Sequence, residues 1–403
     1  MKILVINSGS SSIKYKLFDA AADALLCSGL VERIGLEGSR VRHEVFAPAG
    51  SAQEVVRVQA VPDHQRGLAL VAALLTEPGI AVIQHPEEIE AVGHRVVHGG
   101  ERFSRTVVID DAVLAVIRAL IPYAPLHNPA NLQGILVAQQ IFEQATQVAV
   151  FDTAFHQTLP PRAYRYAIPN ELYQEHGVRV YGFHGTSHLF VAGQTAAFLG
   201  KPMAETTLIS AHLGNGASMA AIKNGQSMDT SLGFTPLPGL MMGTRSGDLD
   251  PAIIFYLARR LKMSIDEIDA LLNKRSGLLG VAGSSDLRDV EARAAQGDAN
   301  AELALEIYTY RIKKYIGAYL AALGPIDALV FTAGVGENSA LVRSRSCAGL
   351  AHLGIVLDEA KNEARAPGIR AIHAPQSQVQ ILVIPTNEEL EIARQTLAVL
   401  NAG

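Results

Sequence analysis

Asn7-Ser8-Gly9-Ser10-Ser11-Ser12-Ile13-Lys14 is the stretch on which the reading of this chain turns. An apolar run, Ile3-Leu4-Val5-Ile6, leads into it, and the alternating Tyr15-Lys16-Leu17-Phe18-Asp19 leads out. Strand, tight polar turn, strand predicts a β-hairpin at the N-terminus. Gly9 lets the backbone reach positive φ and approach a ligand closely. Backbone N–H groups with the hydroxyls of Ser10 and Ser12 can surround an anion, and Lys14 adds a cation just past the turn. No G-x-x-x-x-G-K-[ST] occurs, so this is no P-loop. A plain Gly/Ser hairpin turn is the competing explanation.

The same device recurs at Thr207-Leu208-Ile209-Ser210-Ala211-His212-Leu213-Gly214-Asn215-Gly216-Ala217-Ser218. Set side by side, Asn7 falls on His212 and Gly9 on Gly214. Repetition of a supersecondary unit speaks to the whole architecture: two related α/β halves, with the second starting near residue 153. Two such hairpins facing each other could hold the phosphates of a nucleotide between two domains.

The 403 residues fit two domains, and 49% hydrophobic content is enough to build two cores. A formal net charge of −5 gives no electrostatic reason to expect nucleic acid. Cys27 and Cys347 are far apart, without metal-ligand spacing, as expected in a reducing compartment. Apolar runs such as 68–75 are too short to cross a bilayer, and no signal-peptide pattern opens the chain. The expectation is a soluble cytoplasmic enzyme of mixed α/β type.

Further along, residues 41–46 and 55–61 read as strands, and Asp63 caps a helix bearing Leu68, Val71, Ala72 and Leu75 on one face. Gly93-His94-Arg95-Val96-Val97-His98-Gly99-Gly100 is a strand end running into glycines. There Arg95 could grip a carboxylate or phosphate bidentately, or serve only in a salt bridge. Asn128-Pro129 predicts cap and first position of a helix. Val148-Ala149-Val150-Phe151 is a buried strand with Asp152 at its carboxyl end, a position suited to a site acid or to capping the turn. Gly182 and Gly185 loosen the backbone around His184, and Gly239 to Asp248 is a glycine-rich loop carrying Arg245. Gly283 to Arg288 reads as a polar turn, and 293–301 as a loop before a long helix at 301–323. Residues 326–332 form a buried strand followed by Gly334-Val335-Gly336-Glu337-Asn338. That Gly-x-Gly lacks the third glycine of a dinucleotide fingerprint and fits a backbone shelf for adenine as well. Thr386 and Glu389 predict a capping box for the terminal helix, with Glu388 in its first turn.

The residues at 7–14, 93–100, 124–129, 151–156, 183–188, 212–216, 242–247, 334–338 and 385–389, taken in order, make this chain resemble the acetate kinase family over essentially its whole length. One departure is Val281-Ala282-Gly283 before Ser284. The resemblance implies two duplicated ribonuclease H-like domains of the actin-like ATPase fold flanking a nucleotide cleft: residues 1–152, with 387–403 returning to them, and residues 153–386. It further implies a homodimer and the reaction ATP + acetate ⇌ ADP + acetyl phosphate, with Mg²⁺ replaceable by Mn²⁺. Propionate or butyrate kinase of the same family is the alternative.

By that resemblance Arg95 binds the acyl carboxylate and then the transferring group, while Arg245 and His184 stabilise its charge. Asp152 orients substrate or metal-bound water. Val97, Leu126 and Pro236 wall the acyl pocket. Lys14, Ser10, Ser12, His212, Leu213, Gly214, Asn215 and Gly216 hold phosphates. Asp286, Leu287 and Arg288, with Gly334, Val335, Gly336, Glu337 and Asn338, hold ribose and adenine. Asn7 and Glu388 take the magnesium ion. In-line transfer to a carboxylate needs positioning and charge stabilisation rather than a strong base.

Overall fold

The computed structural model describes residues 1–22, 24–46 and 52–402. They form two compact units, Met1–Ala154 with Asn387–Gly403, and Phe155–Thr386. Each is built on one mixed sheet.

In the first unit, β1 (Lys2–Ser8) and β2 (Ser12–Asp19) make the expected antiparallel hairpin, with Asn7 opposite Lys14. β3 (Ala24–Glu32), β4 (Arg40–Phe46) and β5 (Ala52–Val58) extend it antiparallel. On its other side β1 pairs in parallel with β6 (Ile89–Val96), and β6 with β8 (Thr146–Phe151); the short β7 (Val107–Val108) closes the edge antiparallel. The order is β5-β4-β3-β2-β1-β6-β8-β7.

In the second unit, β9 (Leu208–Leu213), β10 (Ala217–Lys223) and β11 (Gln226–Thr230) form an antiparallel meander. β12 (Ala328–Thr332) lies parallel to β9, and β14 (Gln380–Val383) parallel to β12, with β13 (Arg370–Ala371) antiparallel at the edge. Its order, β11-β10-β9-β12-β14-β13, repeats β3-β2-β1-β6-β8-β7 strand for strand. Asn7 and His212 occupy equivalent ends of β1 and β9.

Why β1 is continuously apolar from Ile3 to Ile6 follows from period-two alternation with both faces covered. Leu4 and Ile6 face a core shared with Leu68, Val71, Leu74 and Leu75 of helix His64–Thr76. Ile3 and Val5 face Ile392 and Ala393 of the terminal helix Glu388–Ala402. Asp63 caps helix His64–Thr76 by accepting from Arg66 N at 2.8 Å. In the second unit the helix Ala299–Leu323 buries Ala301, Ala304, Leu305, Tyr308, Ile312, Ile316 and Tyr319, a stripe at helical spacing.

Several local expectations differ from what forms. Gly9 is absent from the left-handed region; its value is space, since a Cβ there would sit 3.1 Å from Ser12 Oγ. Asn128 is the first helical residue of Asn128–Ile141, not its cap, because its amide is engaged with the His98 backbone. Residues 287–295 are helical with Asp286 as cap, so the polar turn ends earlier and the loop before Ala299 is short. Gly334-Val335-Gly336 lies inside the short helix Ala333–Asn338, with the turn placed on Ala333 (φ 64°). The capping box at Thr386 does not form. Asn387 Oδ1 accepts from Leu390 N at 3.2 Å instead, Thr386 Oγ1 lies 2.7 Å from Ser187 Oγ, and Glu389 is drawn into an ion pair.

Candidate active site

Parallel strands β1, β6 and β8 bring their carboxyl ends together, and this register places the first set of site residues. His94 pairs with Ile6 and Arg95 with Val150, so Asn7, Arg95 and Asp152 stand at neighbouring strand ends. Arg95 Nε lies 3.1 Å from both Asp152 oxygens, and Nη2 lies 2.6 Å from Oδ2. Arg95 Nε is also 4.0 Å from Glu388 Oε2. Burial works against the Arg95 charge, but Asp152 and Glu388 outweigh it and hold the guanidinium above its ordinary value. Burial pushes the Asp152 carboxyl up, opposed by Arg95. A guanidinium between two carboxylates is thus fixed in direction before any substrate arrives.

Glu388 is the first residue of the terminal helix, and its neighbour Glu389 fixes it there. Glu389 Oε1 lies 2.5 Å from Lys14 Nζ, and Oε2 lies 3.1 Å from Lys16 Nζ. Burial raises this carboxyl, yet the two ammonium groups more than offset that and lower it. Lys14, expected to hold phosphate, is therefore paired with Glu389, its side chain half exposed.

Two side chains brace these strand ends; sequence reasoning missed Asn131 and took Asn128 only for a helix cap. Asn131 Oδ1 accepts from Val97 N at 3.0 Å and its Nδ2 donates to Ser8 O at 2.8 Å, tying β1 to the chain after β6. Asn128 accepts from His98 N and donates to His98 O, both at 3.1 Å. The Asn-x-x-Asn spacing on one helix face was the available signal. Of the expected acyl-pocket residues, Val97 is buried, Leu126 is 52% exposed, and Pro236 belongs to the second unit. Ser10 is exposed and Ser12 half buried, with Ser12 O accepting from Gly9 N at 2.8 Å.

In the second unit, His184 precedes the helix Gly185–Leu199 with φ 56°, a backbone state uncommon outside glycine and frequent at functional sites. Its ring stacks on His212, centroids 4.3 Å apart. A Cβ added to Gly216 would lie 3.7 Å from His184 Nε2 and 3.4 Å from Arg245 Nη1. His184, Arg245 and the open face of Gly216 therefore converge. Arg245 Nη1 donates to Pro236 O at 3.2 Å and lies 3.6 Å from Met242 Sδ. Among the described residues no carboxylate pairs with it, and burial lowers its pKa.

The hairpin turn is tight: Gly214 N donates to Gly216 O at 3.0 Å. Asn215 Oδ1 occupies the place of a Cβ on Gly243, which seats the Arg245 loop on the turn. Leu213 and His212 are buried at the end of β9. Of the expected nucleoside residues, Asp286 and Arg288 pair with each other, Arg288 Nη2 lying 2.5 Å from Asp286 Oδ2, with Arg288 90% exposed and Leu287 buried. In helix Ala333–Asn338, Gly334 is open, Val335 half buried, and Gly336 packed against β12, where a Cβ would meet Phe331 C at 3.3 Å. Asn338 Nδ2 donates to Gly334 O at 2.8 Å, and Glu337 Oε1 accepts from Thr386 N at 3.1 Å.

Among the described residues no cluster of three His, Cys, Asp or Glu could hold a metal, and no helix is long and apolar enough to cross a membrane.

Residues 2–394 match the model of the acetokinase family. The acetate kinase of Desulfotalea psychrophila is 53% identical over 405 residues, covering 100% of both chains. That of Thermotoga maritima is 53% identical, covering 98% of both. Among solved structures, Porphyromonas gingivalis acetate kinase matches with TM-score 0.92 and 47% identity over 99% of each chain. A propionate kinase from Francisella tularensis subsp. tularensis matches with TM-score 0.92 and 44% identity over 99% of each.

Proposed function

Because the chain belongs to the acetokinase family, phosphotransferases with a carboxyl acceptor, we propose that two charge sets, one in each unit, carry phosphoryl transfer between ATP and acetate. In the forward direction an acetate oxygen forms a bond to the γ-phosphorus while the bond to the bridging oxygen of ADP breaks. The acceptor is already an anion, so no proton need move. Arg95 receives the acyl carboxylate and then the transferring group, with Asp152 orienting it. Arg245 and His184 neutralise the equatorial oxygens. The observation that carries this reading is the half-buried Arg245 guanidinium, which has no carboxylate partner among the described residues and converges with His184 on Gly216. Such a cation suits an anion that arrives with the substrate.

Asn7 and Glu388 offer an amide oxygen and one carboxylate, few hard donors, which suits Mg²⁺ (or Mn²⁺) that keeps most of its waters. When bound, the ion would neutralise phosphate charge. His212, Leu213, Gly214, Asn215 and Gly216 with Ser10, Ser12 and Lys14 would hold phosphates; for Lys14 that means exchanging Glu389 for the nucleotide. Asp286, Leu287, Arg288 and residues 334–338 would hold ribose and adenine. Val97, Leu126 and Pro236 would bound the acyl group.

A homodimer is supported by the helix Ala252–Arg260, none of whose residues is buried and which exposes Ile253, Phe255 and Tyr256, with Leu261 and Ile265 following. Two free, buried cysteines suit the cytoplasm.

The test is turnover with ATP and acetate, propionate or butyrate, trapping acyl phosphate as hydroxamate. Acetate is expected to lead. Because one methylene is worth only about 1–3 kcal/mol, propionate should be used more slowly rather than refused. A clear propionate preference would reassign the acceptor, as the likeness to a propionate kinase would then suggest.

A further inference from the structure

Beneath His184 runs a buried chain of hydroxyls and imidazoles. Ser210 Oγ lies 3.0 Å from His188 Nδ1, His188 Nε2 lies 2.8 Å from Ser218 Oγ, and Ser218 Oγ lies 2.8 Å from His184 Nδ1. Ser210, His188 and Ser218 are fully buried. Burial, with His156 and His212 nearby, holds the His188 pKa well below the ordinary imidazole value, so its ring is neutral. A neutral imidazole has one donor and one acceptor nitrogen, and each serine hydroxyl has one proton to give.

The chain therefore has two possible polarities. In one, His184 Nδ1–H donates to Ser218, Ser218 donates to His188 Nε2, and His188 Nδ1–H donates to Ser210. That leaves the Ser210 proton, fully buried, without an acceptor, because its one hydrogen bond among the described residues is to His188. In the other, every proton between Ser210 and His184 has an acceptor, Ser210 to His188 Nδ1, His188 Nε2–H to Ser218, and Ser218 to His184 Nδ1, and the remaining N–H falls on Nε2 of the half-buried His184 ring rather than on a fully buried hydroxyl. An unmade buried donor is costly, whereas a spare lone pair on a hydroxyl oxygen costs little.

We propose that Ser218, His188 and Ser210 are positioning residues that keep His184 in its Nε2–H tautomer, presenting a hydrogen-bond donor beside Arg245 at Gly216. This rests on the role assigned to His184 above. Which nitrogen of a histidine carries the proton is set by the partner of the other. Here the choice is made by Ser210, two hydrogen-bonded side chains removed. The left-handed backbone at His184 holds the ring where Nδ1 meets Ser218.

The test is ¹⁵N spectroscopy of the full-length protein labelled at histidine, with the His184 signals assigned by their loss in His184→Gln. The expected result is a bare, pyridine-type Nδ1 and a protonated, pyrrole-type Nε2. A protonated Nδ1 in the unaltered protein would overturn the proposal without any variant. Ser218→Ala and Ser210→Ala should each move the His184 signals toward a mixed tautomer. They should also lower kcat on the order of tenfold or more while KM for acetate changes little. Unchanged His184 signals and unchanged kcat in a folded Ser210→Ala variant would sink it. Failure of the underlying reading looks different: His184→Ala would then turn over ATP and acetate at near the native rate.

Discussion

Arg95 and Asp152 form a forked ion pair across the ends of β6 and β8, with Nη2 2.6 Å from Oδ2 and Nε 3.1 Å from both oxygens. Asp152 is 2% exposed and Arg95 20%. The pair aims the guanidinium and also leaves a buried charge if either member is lost. Arg95→Ala should therefore reduce turnover by roughly 100- to 1000-fold. Asp152→Ala should in addition destabilise the fold by roughly 3–5 kcal/mol, toward the lower end because Arg95 retains some solvent. Hydroxamate-trapped turnover and urea unfolding measure the two effects. Near-native turnover of Arg95→Ala would remove this residue from the mechanism.

Arg245 behaves in the opposite way. It bears a half-buried charge with no carboxylate partner among the described residues, and burial already lowers its pKa. Arg245→Met should keep or raise the melting temperature, since it removes a desolvated charge and retains an apolar stem. Turnover should fall by roughly 100- to 1000-fold. A large loss of stability alongside activity would mean the guanidinium is structural.

Glu388 and Asn7 are proposed to serve the metal. Glu388→Gln should raise the Mg²⁺ concentration for half-maximal turnover several-fold while leaving the fold intact, because Glu389 still anchors the helix to Lys14 and Lys16. A Mg²⁺ titration at saturating ATP reads this directly. An unchanged half-saturation point would exclude Glu388 as a metal position.

Acid should unfold this protein early. Burial lowers His43, His94, His98 and His156 to about 4, and it also holds His188 well below the ordinary imidazole value. A histidine neutral in the fold and free to charge when unfolded gives the unfolded state more protons. Its contribution is complete above the unfolded pKa near 6.5 and is lost as pH falls toward 4. Each such group is worth on the order of 3 kcal/mol across that window, against a total stability of roughly 5–15 kcal/mol. The melting temperature should be flat from pH 7 to 8 and drop steeply below pH 6. A flat profile down to pH 5 would show that these rings are already charged in the fold.

The exposed apolar face of helix Ala252–Arg260 gives a test of assembly. Phe255→Glu should convert a dimer into monomers in light scattering, with little change in monomer folding because Phe255 is 56% exposed. A native protein that scatters as a monomer would contradict the dimer.

By itself the sequence determined the elements whose cause is local. Alternating and continuous apolar runs gave β1, β2 and β9; Asp63 gave a helix start; and the repeat of Asn7-to-Gly9 in His212-to-Gly214 gave the duplicated topology. These depend on neighbours a few residues away, so they can be read from spacing. Tertiary structure decided what long-range competition settles. Glu389 and Thr386 look like a capping pair until Lys14, Lys16 and Ser187 draw them elsewhere. Asn128 looks like a cap until the His98 backbone takes its amide. Which arginine is paired, and which has no carboxylate beside it among the described residues, could not be read from either motif. That difference follows from the strand register that sets Asp152 beside Arg95 and from the loop packing that sets Arg245 against Pro236 O.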